Sequence, residues 1–194
     1  MDRIIRRYHP RFIVVRCHEI PGAAQEPGLN ARAGNGWILA ASSTADLDQI
    51  MSWFPDADSV NIWGGPNFRF PFTAETFRED CRFDAMDSFS LRNAGGQLAA
   101  FGQAYARDGR GHLARLVTNP ALRRQGAGRQ LIERIIAMLE ETCAHDEYSL
   151  FVYRHNRPAY QCYLSLGFVV RNYPEDAPMP DKCYFLTRRT TRRQ

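Results

Sequence analysis

Two arginines run directly into two closely spaced glycines at Arg123-Arg124-Gln125-Gly126-Ala127-Gly128, between a strand-like segment and a helix-like one. Glycine lets a backbone turn tightly and approach a ligand closely. The first N–H groups of the helix that follows have no intrahelical partners, and the helix dipole favours an anion there. A pyrophosphate fits that description. Taken alone, Gly-x-Gly ahead of a helix is equally well a turn into a core helix. Two nucleotide readings fail at once. A Rossmann fingerprint needs Gly or Ala at its third site, where Leu131 stands, and a P-loop needs Gly-Lys-Ser/Thr, which is absent.

A second segment lies downstream, Asn156-Arg157-Pro158-Ala159-Tyr160-Gln161-Cys162-Tyr163-Leu164-Ser165-Leu166-Gly167-Phe168. On a helix, Ala159, Tyr163 and Leu166 share one face. Gly167 then stops the helix, and Phe168 starts the next strand. As packing, this is a capped helix with an aromatic on its inner side. The ordered pair of signals, Arg-x-x-Gly-x-Gly and then Asn-x-x-Ala-x-x-x-Tyr-x-x-x-Gly-Phe, resembles the GNAT superfamily of acetyl-CoA-dependent N-acetyltransferases. The likeness covers Trp37 to Thr187 in element order and is specific from His112 to Phe168.

The resemblance implies an acyl-CoA N-acyltransferase fold, in which the fourth and fifth strands splay to admit the cofactor. Here those strands are His112–Thr118 and Ser149–Tyr153. It implies that backbone groups of Leu116 and Val117 pair with the pantetheine arm. The pyrophosphate would sit on the N–H groups of Arg124, Gln125, Gly126, Ala127, Gly128 and Arg129, with arginine side chains such as Arg123 adding charge-assisted contacts. Asn156 would hydrogen-bond the cofactor. Tyr163 would face the thioester sulfur as general acid, and the Val117 backbone N–H would hold the oxyanion. Attack by the amine would be direct, in a ternary complex with acetyl-CoA and without an acyl-enzyme. Cys162, off the Tyr163 face, reads as packing. No residue singles itself out as general base; His112, Asp84 and Asp87 are the groups near the sheet.

The elements that must position these groups can be traced from the pattern. Trp37–Ala40 reads as a short strand, and Ser43 with Asp46 as a capping box, with Leu47, Ile50, Met51 and Phe54 on one face of the helix that follows. Trp53–Phe72 is aromatic and broken by Gly and Pro; it is expected either to wall the acceptor site or to be core beneath a loop. Asp56, Asp58, Glu75, Glu79 and Asp80 lie near it as candidate partners for a cationic amine. Thr73 caps a second helix to about Phe83. Ser88–Arg92 and Gln97–Ala106 form a hairpin, and Asp108-Gly109 turns the chain into a third antiparallel strand, His112–Thr118. A long helix opens near Gly126 with Leu131, Ile132, Ile135, Ile136 and Leu139 as its apolar stripe. Strands at Ser149–Tyr153, Phe168–Arg171 and Lys182–Thr187 complete the sheet. The reading is one α/β domain: a single mixed, mostly antiparallel sheet flanked by helices.

Residues 1–35 read as an appendage and linker, 36–187 as the N-acetyltransferase domain, and 188–194 as a basic tail. The whole chain carries +4; with +3 in residues 1–20 and +4 in the tail set aside, about −3 remains for the body. A slightly acidic body argues against nucleic-acid binding and suits a cationic substrate. No stretch approaches the ~20 apolar residues of a membrane helix, so no membrane partner is expected and the cytoplasm is the default location. Five scattered cysteines without a Cys-x-x-Cys pair argue against a metal site. The acceptor is expected to be a small-molecule amine, with a peptide N-terminus, or a non-catalytic acetyl-CoA sensor, as alternatives. Exposed aromatics in Trp53–Phe72 would make a homodimer unsurprising.

Overall fold

Along the chain the elements are β1 (Ile38–Ala41), α1 (Thr44–Met51), α2 (Ala57–Gly64), α3 (Ala74–Cys81), β2 (Asp87–Arg92), β3 (Leu98–Arg107) and β4 (Arg110–Thr118). A single 3-10 turn, Pro120–Leu122, leads to α4 (Ala127–Thr142), β5 (Glu147–Tyr153), α5 (Arg157–Ser165), β6 (Val169–Arg171) and β7 (Cys183–Arg189). The computed structural model describes residues 36–143 and 145–190; the appendage expected over 1–35 and the end of the basic tail, 191–194, lie outside the described residues. β7 continues through Arg189, two residues past the boundary expected at 187.

The strands form one mixed sheet in the order β1-β2-β3-β4-β5-β7-β6, antiparallel throughout except where β4 meets β5. Each strand expected from the sequence is present. The β2–β3 turn closes on Asn93, whose Oδ1 accepts from the N–H groups of Gly95 and Gln97, an Asx-type turn.

Helices cover both faces, and each covers its own core. On one face α4 presents Leu131, Ile132, Ile135, Ile136 and Leu139, the expected stripe, to Leu91, Leu113, Leu150 and Phe168. On the other, α1, α2 and α3 close over Leu47, Ile50, Trp53, Phe54, Val60, Phe68, Phe77, Leu98 and Phe101. The Trp53–Phe72 segment is therefore mainly core: Trp53, Phe54 and Phe68 are buried, and Phe70 is its one large exposed aromatic. Ile62 and Phe70 are the large apolar side chains it leaves exposed, a smaller surface for a homodimer than the aromatic run suggested. The segment also holds α2, which the sequence reading missed. Its signal was present: Asp56 caps the helix by accepting from the Ser59 N–H at 2.8 Å.

α1 is fixed to the sheet by the residue that caps it. Asp46 accepts from the Ser43 N–H, completing the capping box, and also binds Ser90 Oγ and the Arg92 guanidinium while almost wholly buried. Satisfying a buried carboxylate at several oxygen lone pairs is what makes its burial tolerable.

Candidate active site

β4 and β5 pair at Gly111–Tyr148 and His112–Ser149, and beyond that point they part. Each stays bonded on its far side, β4 to β3 as far as Thr118 and β5 to β7 along its whole length. A bulge in β4 sets the divergence. Gln103 faces Ala114 and Phe101 faces Val117, so Gly102 alone opposes both Arg115 and Leu116. Arg115 takes up the extra residue in the left-handed region at φ 48°. Gly102 makes room there, since a Cβ would lie 2.7 Å from a Leu116 methyl and push that side chain aside. Side chains then hold the bulge. Trp63 Nε1 donates to the Arg115 carbonyl at 2.7 Å, and the Arg115 guanidinium donates to Gln103 Oε1 and to the Asp80 carbonyl, both at 2.9 Å.

The opening between the strands is a cavity of about 340 Å³ that passes through the sheet. On the face of α2 and α3 its wall is Trp63, Gly64, Arg82, Met86, Tyr105 and Arg115; on the α5 face it is Asn156, Ala159 and Tyr163. Leu113–Leu116 and Leu150–Tyr153 form its sides, and Met179 and Cys183 reach it from the approach to β7.

Tyr163 is placed by the way α5 ends. The Gly167 N–H donates to the Leu164 carbonyl at 3.0 Å and the Phe168 N–H to the Tyr163 carbonyl at 3.1 Å, with Gly167 left-handed at φ 84°. These are the two bonds of a Schellman motif, and its apolar contact is Phe168 against Tyr163, edge to face with centroids 6.2 Å apart. The Tyr-x-x-x-Gly-Phe spacing thus has a local cause: the glycine ends the helix, and the phenylalanine fixes the tyrosine ring. Tyr163 is buried, and desolvation pushes its phenol well above the usual range, with the nearby Cys162 adding to the rise. Among the described residues no group hydrogen-bonds its hydroxyl. Cys162 does not line the cavity.

Asn156 caps the other end of α5, its Oδ1 accepting from the Ala159 N–H at 3.4 Å. Its side-chain NH₂ is what it has left to offer a ligand. At α4, Gly126 stands at the N-cap with φ 86° and no side chain caps the helix, so the N–H groups of Ala127, Gly128 and Arg129 precede the first backbone bond, Gln130 N–H to the Gly126 carbonyl. Gly128 lets this first turn lie close on β4: a Cβ there would meet Thr118 Oγ1 at 3.1 Å. Arg123, Arg124, Gln125 and Gly126 are exposed. Arg129 is turned elsewhere, toward the Ser165 carbonyl at 3.0 Å and Glu133 at 3.4 Å. Leu116, Asn156 and Tyr163 meet in the cavity; Val117 and the 123–129 loop lie outside its lining.

The model of the acetyltransferase (GNAT) family matches residues 49–168, more than half of the chain and both sequence segments. The chain belongs to that family. It is an acetyltransferase. Among solved structures it is similar to a spermidine N-acetyltransferase from Vibrio cholerae, solved in complex with CoA and spermine. That match has TM-score 0.62 and 16% identity over 80% of this chain and 96% of the other. It is also similar to a GNAT-family acetyltransferase from Streptococcus pneumoniae, with TM-score 0.54 and 15% identity over 79% of this chain and 98% of the other. These likenesses establish the shared fold. No curated protein matches the sequence significantly.

In this acetyltransferase no carboxylate among the described residues lines the cavity to serve as base. His112 is not at a strand edge: it is buried where β4 and β5 still pair, with Nδ1 2.9 Å from Ser149 Oγ and its ring between Tyr105 and Phe151. Desolvation, assisted by Arg107, lowers its pKa to about 3, so it is neutral and too weak a base for an ammonium. Asp84 is paired with Arg78 at the surface, and neither it nor Asp87 lines the cavity. Asp56 caps α2, while Glu79 and Asp80 bind Arg69. None of the five acids near the aromatic segment, Asp58 and Glu75 included, reaches the lining. The residues that do reach it and escaped the sequence reading are Arg82, Tyr105, Arg115 and Met179. Arg115 had a visible signal, a lone charge within the apolar run Leu113–Val117.

Proposed function

We propose that this acetyltransferase uses acetyl-CoA as its donor and transfers the acetyl group to the amine of a small molecule by direct attack. The observation that carries the reading is the joint placement of Tyr163, Asn156 and the unpaired edge of β4 around one cavity at the strand splay. The residues present suit such a donor. An extended pantetheine arm can pair with the free edge of β4 near Leu116 and Val117. The open N–H groups at the start of α4, with Arg123 and Arg124 beside them, suit its pyrophosphate. When bound, the donor supplies an activated thioester carbonyl.

This chain's residues would then act as follows. The β4 backbone, with the N–H of Val117 as the expected donor, holds the negative charge that develops on the carbonyl oxygen. Tyr163 donates a hydrogen bond to the sulfur as the C–S bond breaks and the N–C bond forms. A thiol ordinarily ionises near 8.5, below a phenol, and burial raises Tyr163 further. Net transfer of its proton to a thiolate is therefore uphill alone. One proton of the ammonium leaves to water before attack. The second, lost as the N–C bond forms, replaces the proton that the Tyr163 hydroxyl passes to the sulfur, so the phenol ends as it began. Arg82 and Arg115 assist the first loss, because cations near an ammonium lower its pKa.

The test is to supply acetyl-CoA and a panel of primary amines, follow the free thiol, and identify products by mass. Acetylated amine equimolar with thiol, and no acetyl group retained on the protein, is the expected result. An acetylated protein intermediate competent for transfer would overturn direct attack.

A further inference from the structure

Of the large apolar side chains left exposed among the described residues, Ile62 alone lines the cavity. It stands on α2, 40% exposed, on a helix that packs against β4. Trp63 from the same helix, Met86 from the approach to β2 and Tyr105 from β3 continue the wall on that face. An apolar side chain held open to water beside a cavity gains free energy when something apolar covers it.

The polar atoms of its neighbours already have partners. Trp63 Nε1 donates to the Arg115 carbonyl at 2.7 Å, and the Arg107 side chain hydrogen-bonds the Tyr105 hydroxyl. Met86 Sδ accepts from the Arg115 guanidinium at 3.4 Å, and the same guanidinium donates to Gln103 Oε1 and the Asp80 carbonyl. Arg115 therefore holds the β4 bulge, and Arg82 is likewise engaged within the protein. What this end of the cavity offers an acceptor is two ring faces, a thioether and a branched alkyl group.

A primary amine must shed a proton before it attacks, and apolar surroundings favour that neutral form by desolvating the ammonium. An apolar body attached to it is covered by the wall. A second ammonium would leave water against the same surfaces while keeping its charge, which is unfavourable without a partner.

We infer that the acceptor is a primary monoamine with a bulky apolar body, aromatic or alkyl, packed on Ile62, Met86 and the rings of Trp63 and Tyr105. This rests on the reading of the chain as an acetyl-CoA-dependent amine acetyltransferase and names the substrate class of that same site. Ile62 is its specificity-determining residue.

The experiment keeps the reacting end constant and changes the body. 2-Phenylethylamine is compared with ethylamine, and hexylamine with 1,6-diaminohexane, with spermidine as a longer polycation. Each is assayed for kcat/KM by thiol release, and for binding to the CoA-saturated protein by calorimetry. Burial of the apolar body predicts a preference of about tenfold or more for 2-phenylethylamine over ethylamine, and a similar one for hexylamine over the diamine. Ile62→Leu should keep both preferences. Ile62→Glu should weaken the first and raise kcat/KM for 1,6-diaminohexane above the wild-type value. Ile62 belongs to neither core, so the fold should survive the change, and a gain with the diamine cannot come from a merely unstable variant. Equal use of both members of either pair, a wild-type preference for 1,6-diaminohexane or spermidine, wild-type preferences in Ile62→Glu, or no binding of any of these amines overturns the inference. CoA binding measured in the same titrations separates the two levels: any of those results with CoA bound overturns this inference alone, whereas no CoA binding overturns the reading beneath it.

Discussion

At the scale of single residues, Tyr163 and His112 are both buried at the splay, and burial prepares them for opposite roles. The Tyr163 phenol stays protonated at the cavity wall, so Tyr163→Phe keeps the ring that Phe168 packs on and removes only the donor. Turnover should fall about 100-fold or more with CoA affinity almost unchanged; steady-state kinetics beside a CoA titration checks this, and unaltered turnover would remove Tyr163 from the chemistry. His112 should leave its mark on stability instead. Its folded pKa is depressed to about 3 against an ordinary value of 6.5, so between those values the unfolded chain binds the proton and the folded one does not. Stability is therefore lost as pH falls from about 6.5 toward about 3. Melting curves from pH 7 to pH 4 should show a shallower acid loss for His112→Gln than for the wild type, and equal slopes would contradict the assignment. Placement beside the cavity was legible where a motif carried it, as with Tyr163 and Asn156. Arg82, Tyr105 and Met179 come to the cavity from separate elements, and no local pattern announces that.

At the scale of elements, local chemistry explains most of what the sequence foretold. Ser43 with Asp46, the cap at Thr73, and the stripe on α4 each act within a turn or two of chain, and each appears in the structure as expected from its residues. α2 was missed because its eight residues are embedded among glycines, a proline and aromatics that suggest a loop. The β4 bulge was not readable at all. Arg115 adopts a left-handed backbone because Trp63, Gln103 and Asp80, from three other elements, hold it there. The end of α5 offers a clean test of the local argument. A Cβ at Gly167 would meet nothing within 4 Å, so the cost of Gly167→Ala is that of its positive φ alone. A loss of roughly 1–2 kcal/mol is expected, or about 2–4 °C in Tm for each kcal/mol. A larger loss of activity than of stability should accompany it, because the same turn fixes Tyr163; an unchanged Tm would contradict the Schellman reading.

At the scale of the whole molecule, two cores on opposite faces leave the sheet free to part in its middle without unravelling, since β4 and β5 each keep their outer partner. Net charge proved a poor guide to the site. The body is slightly acidic, yet the cavity wall carries arginines, because a sum over the chain does not know which side chains the fold gathers. The central claim is that this splayed sheet holds acetyl-CoA, and it is tested most directly by a thermal-shift titration with acetyl-CoA and CoA, with NADH and ATP as controls. Binding to the folded state alone raises stability as RT ln(1 + [L]/Kd), so about 100-fold excess over Kd adds about 2.7 kcal/mol. The account predicts a rise in Tm of several degrees that is selective for the two CoA ligands. No rise with acetyl-CoA at saturating concentration, or an equal rise with NADH or ATP, would contradict it.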